Sequence, residues 1–289
     1  MPLNCACAMS KDQYCILNGH LISIYEPSVP FSNRAFRYGD ALFESIRVCN
    51  NKIMFLKDHL TRLKLGMTVL RMNLPAEFTS ENLAELISSL LKKNEDLPNA
   101  RIRLTVFRNG GGYYAPESND ISFLIESTSM AAPYELNQKG IWVDIYADIK
   151  KSINKLSNIK SANALLYVMA GVAKQSMKLD ECLLINENGT ICEAISSNVF
   201  VVKNGTLFTS PLSEGCVAGV MRKQVMHMAT ENRILTFESP LTMYTLLNGD
   251  EVFLTNSIQG LQWVGQYKDR FYTNKLSQFF HEKLMELVR

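Results

Sequence analysis

Lys160 and Glu193 are the residues whose types and settings could carry chemistry. Lys160 follows a polar run, residues 151–158, and precedes a segment whose apolar positions from Ala162 to Ala173 predict a helix. A lysine at such a junction can point into a cleft. Where water is excluded its ammonium is destabilised, its pKa falls, and the neutral amine becomes a nucleophile toward a carbonyl. Standing alone, Lys160 reads as a solvated surface group and Glu193 as a surface glutamate at a strand end. Arg62 alone reads as a solvated arginine on an amphipathic helix, paired with Asp58 four residues earlier, and Gly219 as a turn residue.

The elements that must position these residues fall into two groups. Tyr14 to Ile24 alternates around Asn18-Gly19 and predicts a hairpin; Ala41 to Val48 and Lys52 to Leu56 predict a second pair of strands. Lys57 to Met72 and Thr79 to Lys93 place leucines at helical spacing, and strands at Arg101 to Phe107 and Ile121 to Glu126 flank the glycine loop 109–112. The expected organisation is a small α+β domain over residues 1–128, a linker over 129–136 containing Pro133, and a larger β-rich domain over 137–289. In that second part short strands are expected at Ile141–Ala147, Cys182–Asn186, Thr190–Glu193, Asn198–Lys203, Thr206–Thr209, Arg233–Phe237 and Glu251–Thr255. Helices are expected over Ala218–Glu231 and Thr273–Val288.

Composition narrows the function. The chain has 289 residues, is 47% hydrophobic and carries a formal net charge of +2 with acids and bases interspersed, so a nucleic-acid or membrane-surface partner is not expected and a small substrate is. No apolar run reaches the roughly 20 residues of a membrane span, and Met1 to Tyr14 lacks a basic start and an apolar middle, so a cytoplasmic protein is expected. Seven cysteines without a Cys-x-x-Cys pair argue against a disulfide framework or a metal site; Cys5 and Cys7 read as reduced and incidental. The sequons at Asn188 and Asn204 each carry the Asn-Gly pair of a tight turn. Phosphate loops of the G-x-x-x-x-G-K and G-x-G-x-x-G kinds, H-E-x-x-H and G-x-S-x-G are all absent.

Four separated stretches, spanning about residues 14 to 265, together resemble the class IV, fold type IV, pyridoxal-phosphate enzymes. They are Arg37-Tyr38-Gly39-Asp40-Ala41-Leu42-Phe43-Glu44 with His59-Leu60-Thr61-Arg62; Ile159-Lys160-Ser161 with Asn163; Cys192-Glu193-Ala194-Ile195-Ser196-Ser197-Asn198; and Ala218-Gly219-Val220-Met221-Arg222 with Thr255-Asn256-Ser257. The group contains branched-chain and D-amino-acid aminotransferases and 4-amino-4-deoxychorismate lyase. The resemblance implies a two-domain D-amino-acid-aminotransferase-like fold and pyridoxal 5'-phosphate as cofactor. It implies that Lys160 binds the cofactor aldehyde and then carries protons, that Glu193 faces the ring nitrogen, and that Arg62, the amides of Val220 and Met221, Asn256 and Ser257 receive the phosphate. Tyr38 and Arg108 match positions that contact the substrate carboxylate, with Arg103 competing for that role. It also implies a homodimer with the active site near the subunit interface, loops of one chain reaching the other's pocket.

The chemistry stays open at this stage, because the family runs elimination and transamination from one site. Thr255-Asn256-Ser257 departs from the Gly-Thr-Ala form of the aminotransferases and leans toward the lyase, which makes 4-aminobenzoate and pyruvate for folate biosynthesis. The stretches around Lys160 and Ser196 resemble the D-amino-acid enzymes, so an aminotransferase acting on branched-chain or D-amino acids is the alternative. A cofactor-free binding or structural descendant is the alternative of another class.

Overall fold

The computed structural model describes residues 13–26 and 29–288; Cys5 and Cys7 lie outside the described residues. The first half forms strands β1 (Tyr14–Leu17), β2 (His20–Ser23), β3 (Ala41–Cys49), β4 (Lys52–Ile53), β5 (Ala100–Arg108) and β6 (Ile121–Ser129), with helices α1 (Arg34–Tyr38), α2 (Leu56–Val69) and α3 (Ser80–Asn94). These strands make one six-stranded sheet in the order β2-β1-β6-β5-β3-β4, every pairing antiparallel. Alternation along β3 turns Leu42, Ile46 and Val48 toward α2 and α3, where they meet Leu60, Leu63 and Ile87 in a buried core. The opposite face of β3 and β5, with Phe43, Ser45, Arg101 and Arg103, looks into a cavity.

The second half forms β7 (Ile141–Lys151), β8 (Glu181–Asn186), β9 (Ile191–Ala194), β10 (Asn198–Lys203), β11 (Thr206–Thr209), β12 (Thr236–Glu238), β13 (Glu251–Asn256), β14 (Gly260–Tyr267) and β15 (Arg270–Phe271). They make a nine-stranded sheet ordered β12-β11-β10-β13-β14-β7-β8-β9, with β15 on β14. Helices α4 (Leu165–Met177), α5 (Val220–Glu231), α6 (Met243–Asn248) and α7 (Lys275–Val288) belong to this half. On one face Phe200, Phe253 and Leu261 pack against Met221 and Val225 of α5 and Phe280 and Leu284 of α7. The Asn-Gly pairs expected to turn do so: Asn18-Gly19 and Asn204-Gly205 take positive φ at both positions.

Three differences from the sequence expectation have physical causes. The helix after Lys160 starts only at Leu165, because residues 160–162 are held extended by β3: Phe43 N–H donates to Lys160 O at 3.0 Å and Ala162 N–H to Ala41 O at 2.8 Å. β14, absent from the expectation, is recruited by neighbours, running antiparallel to β13 and parallel to β7. α1 and α6, of five and six residues, are too short to show a helical period. No helix among the described residues is long and apolar enough to cross a membrane.

Candidate active site

Glu44 lies on the core face of β3 and is 1% exposed. A bare carboxylate there would be prohibitive, and α2 supplies its partners from one face. Arg62 Nε donates to Glu44 Oε1 at 2.8 Å, Arg62 Nη2 donates to Oε2, and His59 Nδ1 lies 2.6 Å from Oε2. Burial alone would raise Glu44; the guanidinium, aided by His59, overcomes it and holds the carboxyl at about 2. Arg62 therefore pairs with Glu44 rather than Asp58, which instead binds Lys223 and Gln224 of α5. The remaining arm of Arg62, Nη1, donates to Ala218 O at 3.0 Å, so the guanidinium is fixed at the head of α5.

That helix starts without a side-chain cap. Its N-cap is Gly219, where an added Cβ would fall 1.8 Å from Asn198 Oδ1, so only glycine allows the approach. Asn198 Nδ2 donates to Val217 O at 2.9 Å, and Ala218 N–H donates to Asn158 O. The N–H groups of Val220 and Met221 have no acceptor among the described residues. Two orphan donors at the positive end of a twelve-residue helix, beside a fixed guanidinium, make an anion cradle.

Lys160 Nζ sits 4.4 Å over the ring of Phe43, and Arg103 Cζ sits 4.0 Å over the same ring. Burial brings Lys160 down to about 8; Arg62 and Arg103 push the same way, while Glu44 and Glu193 resist. Much of this amine is thus neutral and nucleophilic near pH 8. Glu193, on β9 and 3% exposed, accepts at Oε1 from Tyr167 OH (2.7 Å) and from Lys151 Nζ, and at Oε2 from Val217 N–H (2.7 Å).

Lys160, Glu193, Arg62, Val220 and Met221 converge on one cavity of about 1160 Å³, which Tyr38, Arg103, Arg108, Asn256 and Ser257 also line. The two arginines that compete for the carboxylate differ in what they hold. Arg108 is buried with its guanidinium engaged: Nε to Asp40 at 2.9 Å, Nη2 to Leu70 O at 2.7 Å, and Nη1 to Asn119. Arg103 has no hydrogen-bond partner among the described residues, and burial lowers its pKa. Asn256 serves its own turn, its Oδ1 accepting from Ile258 and Gln259 N–H while Nδ2 donates to Ser197 Oγ at 3.0 Å. Ser257 keeps its hydroxyl unpartnered among the described residues, its carbonyl accepting from Tyr134 OH. At the cavity mouth Tyr38 meets Tyr114 at 5.5 Å, and Arg34 joins Asp40 to the carbonyls of Gly111 and Tyr113, tying down the glycine loop.

Lys151 and Tyr167, which line the cavity, and Glu44, which holds Arg62 from the core side, are residues that sequence reasoning did not single out. Glu44 left a signal, a charge in the middle of an apolar strand face; Lys151, at the head of a polar run, left none.

The amino-transferase class IV family model matches residues 41–267. The chain is 29% identical over 271 residues to a protein of Methanocaldococcus jannaschii named "Putative branched-chain-amino-acid aminotransferase", covering 93% of each. It is 28% identical over 249 residues to the D-alanine aminotransferase of Bacillus licheniformis, covering 84% of each. Among solved structures, the branched-chain amino acid aminotransferase of Escherichia coli superposes with TM-score 0.86 at 22% identity, covering 96% of this chain and 95% of that one. A structure from Legionella pneumophila named "Putative 4-amino-4-deoxychorismate lyase" superposes with TM-score 0.82 at 23% identity, covering 92% and 97%. At such identities these structures establish the fold, the two-sheet α+β fold type IV.

Proposed function

Because the chain belongs to the class IV aminotransferase family and is a pyridoxal-phosphate-dependent enzyme, we propose that it transfers amino groups between α-amino acids and 2-oxo acids. The observation that carries this is the pairing of Lys160 Nζ and Arg103 over one ring, Phe43, with Arg103 hydrogen-bonded to no carboxylate among the described residues and Glu126, its cross-strand neighbour on β6, acting on it only through space. An amine-accepting end and a carboxylate-binding end against one ring suit an α-amino acid. The names of the curated relatives, branched-chain and D-alanine aminotransferases, support transamination over elimination. The expected lyase is thus the weaker reading, and the cofactor-free alternative falls with the family assignment.

The residues present fit the cofactor. The orphan amides of Val220 and Met221, Arg62 and the Ser257 hydroxyl suit a phosphate; Lys160's depressed amine suits an aldehyde; Glu193 Oε2, with one donor, has room for a protonated ring nitrogen. When bound, the cofactor supplies an electron sink that acidifies the substrate α-carbon. Lys160 then moves the proton at Nζ, its pKa brought down by burial to about 8. Arg103 orients the carboxylate, Tyr38 and Tyr114 narrow the mouth against water, and Asn256 shapes the turn that presents Ser257. Homodimerisation belongs to the same proposal. It is supported by the apolar face of α4, where Leu165, Val168 and Val172, at helical spacing, are 74%, 56% and 55% exposed.

The test is a spectral titration of the cofactor-loaded protein with L-amino acids, D-amino acids and 4-amino-4-deoxychorismate. Loss of the visible band with one amino-acid series, formation of the matching 2-oxo acid, and recovery on adding another 2-oxo acid is the expected result. Release of 4-aminobenzoate with no response to any amino acid would replace the proposal by the lyase.

A further inference from the structure

Glu193 is held from behind by a second buried ion. Lys151, the last residue of β7, and Tyr167, in the first turn of α4, meet at Glu193 Oε1, the lysine and carboxylate side chains being 7% and 4% exposed. The hydrogen bonds run in one direction: Lys151 Nζ donates to Tyr167 OH at 2.8 Å, and Tyr167 OH donates to Glu193 Oε1 at 2.7 Å, while Lys151 also reaches that oxygen directly. The other oxygen, Oε2, takes only the Val217 N–H.

We propose that Lys151 is a positioning residue that acts as resident counter-ion to Glu193, weakening the carboxylate's hold on a proton at the cofactor's ring nitrogen, with Tyr167 fixing their geometry. A carboxylate shares its charge between two oxygens, so a cation on Oε1 lowers the negative potential offered at Oε2. The other groups facing Glu193 do not replace that charge. Tyr167, Cys192 and Cys216 are pushed up by burial and stay neutral; Arg222, which faces Cys216, pairs with Glu238; Lys160 lines the same cavity but is not among the hydrogen-bond partners of Glu193, which are Tyr167, Lys151 and Val217. The cofactor-free protein then gives the Glu193 carboxylate a resident partner without a ligand, and the ring nitrogen competes with Lys151 for it.

The inference rests on the Glu193 role given above, and the experiment separates the two. Dissociation constants of pyridoxal 5'-phosphate and of its 1-deaza analogue, which has CH in place of the ring nitrogen, are measured on the full chain by fluorescence quenching. Their ratio isolates the nitrogen. In Lys151→Met the preference for the nitrogen-containing form should rise about tenfold over wild type, the equivalent of one pKa unit, and Lys151→Arg should return it. Lys151→Gln, which keeps a donor without charge, is read in the same way should the methionine variant not fold. An unchanged ratio, or a preference that falls, would overturn the proposal even where the apoprotein loses stability. A wild type with no preference, unaltered by Glu193→Gln, would overturn the Glu193 reading itself.

Discussion

Replacing Lys160 by methionine should stabilise the cofactor-free protein at neutral pH. The folded chain holds this lysine at about 8 against an ordinary 10.5, first because burial penalises the ammonium and then because Arg62 repels it. Between those two values the folded state binds fewer protons than the unfolded chain. The wild type therefore carries the full penalty below pH 8, and loses it as pH rises toward 10.5. At about 1.4 kcal/mol per unit of pKa the penalty is roughly 3 kcal/mol. Methionine fills a similar space without the charge, so Lys160→Met removes the penalty and little packing. Urea denaturation of both apoproteins from pH 6 to pH 10.5 should show the variant more stable by about 2–3 kcal/mol at pH 7, the gap closing toward the alkaline end. A variant less stable at pH 7, or a gap that does not move with pH, would refute the claim that the fold strains this ammonium.

Glu44→Gln should cost about 3 kcal/mol at pH 7, since it leaves Arg62 without its buried counter-charge. The wild-type contribution is present above pH 4.5 and is lost as pH falls toward about 2, so denaturation curves for the two proteins should converge in acid. Arg103→Met should raise KM for the amino-acid substrate about a hundredfold, the loss of one charge-assisted pair, with thermal stability kept. Arg108→Met should instead cost about 3 kcal/mol of stability because Asp40, Asn119 and the Leu70 carbonyl all lose a partner; steady-state kinetics and melting curves with the opposite pattern would move the carboxylate site to Arg108. Arg101 lines the same cavity two residues along β5, one step farther from Lys160, so Arg101→Met should weaken dicarboxylic substrates about tenfold and leave monocarboxylic ones unchanged in the same assay.

What the sequence made legible and what it hid divide along a physical line. Strands such as β3, β5 and β10 announce themselves because their alternation or apolar runs are local, and the helix expected over Ala218–Glu231 is found as α5, whereas Gly219 read by itself as a turn residue and only the motif put it at a helix head. Lys160, Glu193 and Arg62 came through as parts of motifs, and the structure gathers them around one cavity. The groups that tune them were hidden because each meets its partner far along the chain. Lys151 reaches Glu193 across 42 residues, Glu44 reaches Arg62 across 18, and Arg62 reaches Ala218 across 156. A polar run such as 151–158 looks solvated until a strand end carries its first residue indoors, where Lys151 is 6% exposed. The choice between Arg103 and Arg108 has the same origin. Both are arginines on β5 with the same chemistry; three partners, supplied by the ends of β3's entry loop and α2 and by the loop before β6, already hold Arg108, while Arg103 has no hydrogen-bond partner among the described residues. Residue type sets what a side chain can do; what already holds it decides whether it is available to do it.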